Sequence, residues 1–461
     1  MLRLKPAILA AGSIVLMPLA LSAQDSHYWN HQYGARSTLL SGAVIAGVDD
    51  ASATFYNPGA LAGARDGELL EGTRIFEFTD ITIHTELDET LSLDSDDFGR
   101  APSFLGGIVP TGWRRHVLSY ALFKRQAFDL RDNIAVSGER DVINRNPGAE
   151  AVFASNKIDN KLSEQWVGLG WAYEVSPTIG VGVSTFVARR SQRGLSDASG
   201  QAVLNDGQVV TSRYSEYYKY SHYRFVWKAG ILLSSERSRV GLTLTSPSLS
   251  LRGTGEREII DAYAGLDVDR DGTADQLLSA DYQDNVGANF KAPISVGLGY
   301  SLTLDGRTIH VSAEWYGEIP EYNVVHVQEA VSQTTGAPID NQLSGFSGSV
   351  LNFAFGVEQD VTKRIRGFAS FATDFSSMDE ADPTDLSLAR WDLFHLTAGT
   401  RFHYRKADLT LGVGYVFGDE TSDRDVSLID ISETNRLFGR TASTQFRYQR
   451  IQLIVGLSVS G

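Results

Sequence analysis

The feature that most constrains this chain is a period-two alternation that recurs from about Glu68 to the end. Ile179, Val181, Val183, Thr185 and Val187 alternate with Gly180, Gly182, Ser184, Phe186 and Ala188. Ile294, Val296, Leu298, Tyr300, Leu302 and Leu304 alternate with Ser295, Gly297, Gly299, Ser301 and Thr303. The same pattern returns over Leu351–Val357, Leu409–Phe417 and Ile451–Val459. Side chains of a strand point to opposite faces in turn, so each run presents one apolar face and one small or polar face. High glycine and aromatic content and few helix-forming runs agree with an all-β chain.

Alternation alone also suits a soluble sandwich or propeller, so the connections have to decide. The pattern predicts strands over 68–84, 102–110, 116–130, 162–175, 178–191, 215–234, 239–252, 288–304, 307–322, 348–361, 364–377, 390–405, 407–418 and 443–460. The gaps alternate between long, acid-rich stretches and short turns such as Ser176-Pro177 and Asp305-Gly306. That rhythm is the mark of a transmembrane up-and-down antiparallel β-barrel with short turns at one rim and long loops at the other. About 14 strands are expected, with both ends on the short-turn side. No stretch past the leader is long and apolar enough to span as a helix.

The first residues form a separate element. Arg3 and Lys5, then the apolar run Ala7–Leu21, then Leu21-Ser22-Ala23 read as a signal peptide over residues 1–23, which implies export. The domain plan is then 1–23 signal peptide, 24–66 an N-terminal plug, and 67–461 the barrel. The chain has no cysteine, which excludes disulfides and thiolate metal sites. With 41 Lys and Arg against 56 Asp and Glu, the formal net charge of −15 argues against a nucleic-acid partner.

A barrel of this size is too wide for its own side chains to fill. Its inward positions are often Gly, Ser, Ala or Thr, which leaves room for a plug. The compact segment before the first strand has the bulk for that task. Asp49 or Asp50 can cap a short helix over residues 51–56, and Asn57-Pro58-Gly59 stops it and turns the chain. Tyr56 adds an aromatic anchor.

The stretch "YGARSTLLSGAVIAGVDDASATFYNPGALAG" (33–63) resembles the hatch of the FadL/TodX family of outer-membrane hydrophobic-compound transporters. The shared pattern is the Gly/Ala-rich run Gly34–Gly47, then Asp50-Ala51, Tyr56 and Asn57-Pro58-Gly59. Residues 102–110 and 367–376 also look like family strands. The resemblance implies a monomeric 14-stranded barrel in the outer membrane, in contact with its lipid and lipopolysaccharide. It implies no enzymatic activity and no required cofactor. It further implies passive uptake of long-chain fatty acids or other hydrophobic compounds, released sideways through the wall, with Asp49, Asp50, Tyr56, Asn57, Pro58 and Gly59 in the gating segment. Related plugged barrels serve as PorV-like secretion partners, a second reading. A polar-solute porin is a third and requires an open lumen. The chain ends Val459-Ser460-Gly461, without the terminal aromatic that such barrels often carry.

Two local features stand apart. Alternation breaks at Lys124-Arg125-Gln126, which calls either for a bulge or inward kink or for a basic pair at the outer rim. With Gly106-Gly107 on the preceding strand, this region is the candidate lateral opening. In "LDVDRDGTADQ" (266–276), Asp267, Asp269, Asp271, Thr273 and Asp275 are spaced as in a calcium loop, with Gly272 at the turn. Leu278 replaces the usual closing Glu, so only weak calcium binding is expected, with Asp281 or Asp284 as substitutes. The repeated Gly-x-Gly pairs lie within strands and are not phosphate loops. Glu314, Glu358 and Arg366, and likewise His395, Arg401 and His403, read as lumen solvation.

Overall fold

The computed structural model describes residues 26–64, 68–85, 90–97, 103–109, 113, 115–143, 146, 148–378, 391–422 and 444–460. The signal-peptide segment therefore lies outside the described residues. In hydrocarbon no water can pair with backbone N–H and C=O groups, so strands cross it only in a closed sheet. Here fourteen strands close a ring. In chain order they are β1 (Glu68–Thr85), β2 (Thr90–Asp97 and Phe104–Val109), β3 (His116–Arg140), β4 (Glu150–Ser176), β5 (Ile179–Val203), β6 (Val209–Ser234) and β7 (Ser238–Thr245 and Leu249–Leu266). They continue with β8 (Asp275–Ala288 and Ser295–Leu304), β9 (Arg307–Tyr316 and Ile319–His326), β10 (Leu343–Ser347 and Val350–Thr362), β11 (Ile365–Asp374), β12 (Leu393–Tyr404), β13 (Ala407–Ser422) and β14 (Thr444–Ser460). Each pairs antiparallel with its neighbours, and β14 pairs back with β1 from Ser460 opposite Glu68 to Thr444 opposite Thr85.

The predicted strands are present, with breaks at 246–248, 289–294 and 317–318; strand over Thr90–Asp97 was not expected, and β3 to β8 run well beyond their predicted ends. The stretches 131–140, 150–161, 192–203, 209–214, 253–266 and 275–287 were expected as loop and are strand. The reason is visible on the outer face. On β4 the outward residues are apolar from Val175 to Val167 and then become Gln165, Ser163, Lys161 and Asp159. Past the membrane the outer face faces water, so the hydrophobic signal vanishes while backbone pairing continues. Cross-strand ion pairs take its place, including Lys161–Asp129 at 2.6 Å, Arg193–Asp159 at 2.8 Å and Arg213–Asp197 at 3.0 Å.

Residues 26–64 form two short helices, α1 (Ala35–Leu39) and α2 (Ala53–Tyr56), and a 3-10 turn over Pro58–Gly63. Nearly every residue is buried. Inward glycines let this leader approach the wall: Gly170 faces Leu61, Gly182 faces the Pro58 carbonyl, and Gly241 faces the Ile45 carbonyl. Gly299 faces Ala46, Gly356 faces Leu40, Gly412 faces Leu39 and Gly456 faces Ala35. These glycines belong to β4, β5, β7, β8, β10, β13 and β14, so the leader is held from every side of the ring. Of the Gly-x-Gly pairs of the sequence, Gly170, Gly180, Gly182, Gly297, Gly299 and Gly412 clear space for the leader, whereas Gly168 and Gly414 face Phe186 and Gln452 of the wall.

A Cβ at position 182 would collide with the Pro58 carbonyl oxygen. Gly182→Val should therefore cost about 1–3 kcal/mol of leader docking while the barrel persists. Limited proteolysis should cut within residues 26–64, and heat-dependent gel mobility should still report a folded barrel.

Candidate functional site

The leader and the wall line a cavity between them. It contains about 950 Å³ not filled by protein atoms, part of it open to solvent. Tyr28 and Phe55 reach it from the leader; Trp166, Phe186, Phe290 and Tyr316 reach it from the wall. Phe55 sits at α2, where it meets Tyr33 edge-on at 4.7 Å, Phe123 at 5.2 Å and Trp166 at 6.3 Å. Offset and edge-on rings of this kind add stability beyond their buried area.

The polar part of the cavity is unusual in sign. Arg125, Arg224 and Lys228 line it, and Arg190 adjoins them; all four are buried. Two carboxylates answer them. Glu164 accepts from Arg224 Nη2 at 2.5 Å, from Arg190 Nη1 at 3.2 Å and from Trp166 Nε1 at 2.6 Å. Glu314 lies 3.6 Å from Lys228 Nζ and accepts from Ser295 Oγ at 2.7 Å. Among the described residues, these four buried cations face two carboxylates, which leaves an excess of positive charge. The Lys228 ammonium lies 4.8 Å from the centre of the Phe55 ring, and Arg125 lies 5.7 Å from it. A buried charge is costly unless paired, so the cavity favours an incoming anion. Its aromatic walls favour hydrocarbon.

A second set of polar contacts fixes the leader. Arg36 grips Glu358 through Nε at 3.1 Å and Nη2 at 2.7 Å, and it donates to the Gly47 carbonyl at 2.8 Å. His310 also reaches Glu358 at 3.2 Å. Trp29 N–H donates to Asp374 at 2.8 Å, Ala35 N–H donates to Glu71 at 2.7 Å, and His31 lies 3.2 Å from Glu77. Glu358 and Glu314, which the sequence offered only as lumen solvation, are thus anchor and cavity residues. Their inward register was legible; their partners on other strands and on the leader, Arg36 lying 322 positions from Glu358, were not.

Of the expected gating residues, Asp50 does not cap the helix directly. It accepts from Ser52 N–H at 2.9 Å and Ser52 Oγ at 2.5 Å, and Ser52 occupies the N-cap of a helix shorter than expected. Ser52 has αR backbone and makes no side-chain cap, so the turn before α2 is tightened by Asp50 one step earlier. Burial, with Asp49 beside it, holds the Asp50 carboxyl above the usual range. Asp49 is half-exposed and lies 3.3 Å from Arg36. Tyr56 OH accepts from Tyr33 N–H at 2.9 Å and donates to Gln32 at 2.7 Å. Asn57 ends α2, caps the 3-10 turn at Gly59 N–H and donates to the Ile45 and Ile231 carbonyls. Pro58 and Gly59 lie against the glycines of β5 and β6.

The ladder between β3 and β4 shifts register between Lys124 and Gln126, so β3 carries a bulge there. Arg125 and Gln126 both turn inward, and Arg125 Nη1 donates to Tyr33 OH at 3.1 Å. Two consecutive inward residues take up the broken alternation, while Lys124 keeps an outward position opposite Gln165, where the polar zone of β4 begins. Gly106 and Gly107 pair regularly with Ala121 and Tyr120. In the loop joining β7 to β8, ligand atoms of Asp267, Asp269 and Asp275 lie within 4.8 Å of one another. Asp271 instead accepts from Thr273 within the turn, and Asp281 is engaged by Asn341 at 2.6 Å. The spacing therefore brings three of the five expected ligands together.

No family model and no curated protein matches the sequence. Among solved structures, the P. putida toluene transporter TodX matches with a TM-score of 0.58 at 12% identity, covering 93% of this chain and 99% of that one. A Pseudomonas aeruginosa FadL homologue matches with a TM-score of 0.57 at 12% identity, covering 94% and 99%. The CymD monoaromatic hydrocarbon channel matches with a TM-score of 0.53 at 13% identity, covering 93% and 97%. The fold of this chain is that of the FadL/TodX-type outer-membrane channels.

Removing Glu164 strands two buried guanidinium groups. Glu164→Gln should cost about 3–5 kcal/mol of stability. A lower unfolding temperature of the detergent-solubilised barrel, followed by heat-dependent gel mobility, checks this.

Proposed function

We propose that this barrel is a passive outer-membrane transporter that takes up hydrophobic compounds carrying an anionic head, long-chain fatty acids foremost. The carrying observation is the cavity itself: aromatic walls with an excess of buried positive charge. Similar barrels are described as toluene and monoaromatic-hydrocarbon channels, which supports a hydrophobic cargo. The cationic lining favours a carboxylate over a neutral arene, because only an anion relieves the uncompensated charge.

The energetics set the mechanism. Burying about 15 methylenes at roughly 0.8 kcal/mol each gains at most about 12 kcal/mol. Ordering and desolvation reduce this. A rigid closed cavity would then release slowly, so a part of it must move. The leader is that part in this reading: it fills the bore as a plug, with its described residues 26–64 packed against the wall. It supplies Tyr28 and Phe55 to the cavity. Arg125 joins the two, since its guanidinium borders the cavity and holds Tyr33 of the leader. An anion drawing on Arg125 weakens that hold, which couples binding to plug movement. The outer-membrane setting, in contact with lipid and lipopolysaccharide, and a monomeric state belong to the same proposal.

The test compares two ligands. Lys228→Met should weaken palmitate binding about 10-fold or more, the value of a charge-assisted hydrogen bond. It should leave hexadecane binding within about threefold, since the apolar walls remain. Intrinsic tryptophan fluorescence of the solubilised protein, with Trp166 at the cavity wall, reads both. Equal loss for the two ligands would reject the carboxylate assignment, and no binding of either would reject the transporter reading.

A further inference from the structure

The outer face of β3 to β7 carries three register rows of different chemistry, stacked where the apolar band ends. Nearest the short turns is Leu122–Val167–Val187–Phe225–Leu249, one apolar residue from each strand. The next row is Lys124–Gln165–Arg189–Tyr223–Arg252. The third is Ser163–Ser191–Ser221–Thr254, a hydroxyl from each of β4 to β7. Leu122, Val167, Val187 and Leu249 are exposed, and so are Arg189 and Arg252. Short turns mark the periplasmic rim of such a barrel, so these rows face the outer leaflet and its headgroups.

One row farther out, charge is balanced. Lys161, Arg193 and Lys219 stand in register, and Asp129, Asp159 and Glu256 answer them at 2.6, 2.8 and 3.0 Å. The middle row lacks that balance. Among the described residues, neither Arg189 nor Arg252 has an ion-pair partner, and the Arg189 guanidinium rests 6.0 Å from the Tyr223 ring centre. Elsewhere the described rim is acidic. The outward apolar runs of β1, β9, β12 and β13 give way to Asp80, Glu318, Asp392 and Asp419, and Arg447 of β14 stands in register with Asp419. On a chain of net charge −15, uncompensated cations are thus concentrated on one sector of the outer wall.

Adjacent strands lie about 4.8 Å apart, so Lys124, Arg189 and Arg252, on alternate strands, stand about 10 Å from one another. Guanidinium forks match phosphate oxygens in pairs, and basic side chains at a membrane boundary attract anionic headgroups. A disaccharide with a phosphate at each end bridges such an interval. Hydroxyls on one side of the cations suit its sugar rings, and the apolar row on the other side suits acyl chains.

We propose that this sector is a seat for one lipopolysaccharide molecule of the outer leaflet. Arg189 and Arg252, with Lys124 at the far end, take the phosphates of its diphosphorylated disaccharide. Ser191 and Ser221 meet the sugar, and the acyl chains lie along Val167, Val187 and Phe225. The protein's own charges replace the divalent cations that otherwise bridge those phosphates. The seat rests on the outer-membrane setting and not on the cargo of the cavity.

The test uses the purified full-length barrel in detergent with EDTA present. Native mass spectrometry measures its binding of lipid A, the phosphorylated anchor of lipopolysaccharide. The parent should hold one diphosphorylated lipid A and bind the dephosphorylated lipid about tenfold or more weakly, because charge-assisted hydrogen bonds to the guanidiniums are lost. Arg189→Gln with Arg252→Gln should show the same loss for the diphosphorylated lipid. Arg447→Gln, a rim cation outside the sector, should leave affinity within about twofold, since exposed charges farther apart than a Debye length are screened. Millimolar inorganic phosphate should not displace the lipid, whose acyl chains contribute to binding. Palmitate binding by the double variant should match the parent, which separates the seat from the cavity. Heat-dependent gel mobility confirms that each variant is folded. Equal affinity for the two lipids, or undiminished binding by the double variant, overturns the seat and leaves the transporter standing. Displacement by inorganic phosphate overturns it too, because the rows would then hold an ion and not a lipid.

Discussion

Backbone pairing in hydrocarbon is the constraint on which everything else here depends. No water is available at membrane depth, so each strand must find two neighbours, and the sheet must close from β14 onto β1. Closure with fourteen strands creates a bore that wall side chains do not fill. The chain meets that second problem with its own leader, packed so closely that glycines on β5 to β8 face its backbone and those on β4, β10, β13 and β14 face its side chains. The two requirements reinforce each other: small inward residues that would leave an empty barrel leaky are what allow the leader to dock.

Because the bore is lined partly by charged groups, docking the leader buries them, and burial must be compensated. Arg36 with Glu358 is a compensated pair, and with the His31–Glu77 contact it fixes the leader. Around the cavity the compensation is incomplete, with Arg125, Arg190, Arg224 and Lys228 set against Glu164 and Glu314. The same electrostatics thus serves two ends. Where charges balance, the leader is anchored; where they do not, an anion is favoured.

Two departures from regular pairing border the cavity, the β3 bulge at Arg125 and the interrupted ladders of β7, β8 and β9. Other register shifts lie at the short-turn rim, between Glu68 and Leu70, Glu174 and Ser176, and Asp360 and Thr362. Above the cavity, strands outlast the membrane and are tied by cross-strand ion pairs.

Period-two alternation and the rhythm of short and long gaps were enough to specify a closed barrel, its strand count and the leader ahead of it. Those are local consequences of a two-faced strand in a two-phase environment. The sequence understated β3 to β8, because in water both faces of a strand are polar and the alternation disappears although pairing continues. It marked Lys124-Arg125-Gln126 as an irregularity but left open which way it turned; only the partner Tyr33 decides that Arg125 points inward. The Gly-x-Gly pairs were legible as inward and small, but not as seats for a particular segment. The cavity was not legible at all. Its aromatic and cationic residues come from the leader and from β3 to β10, far apart in the chain, and only closure of the ring brings them within a few ångströms. A strand's face is fixed by its own alternation, whereas charge balance in a bore depends on which distant strands the closed sheet sets opposite one another.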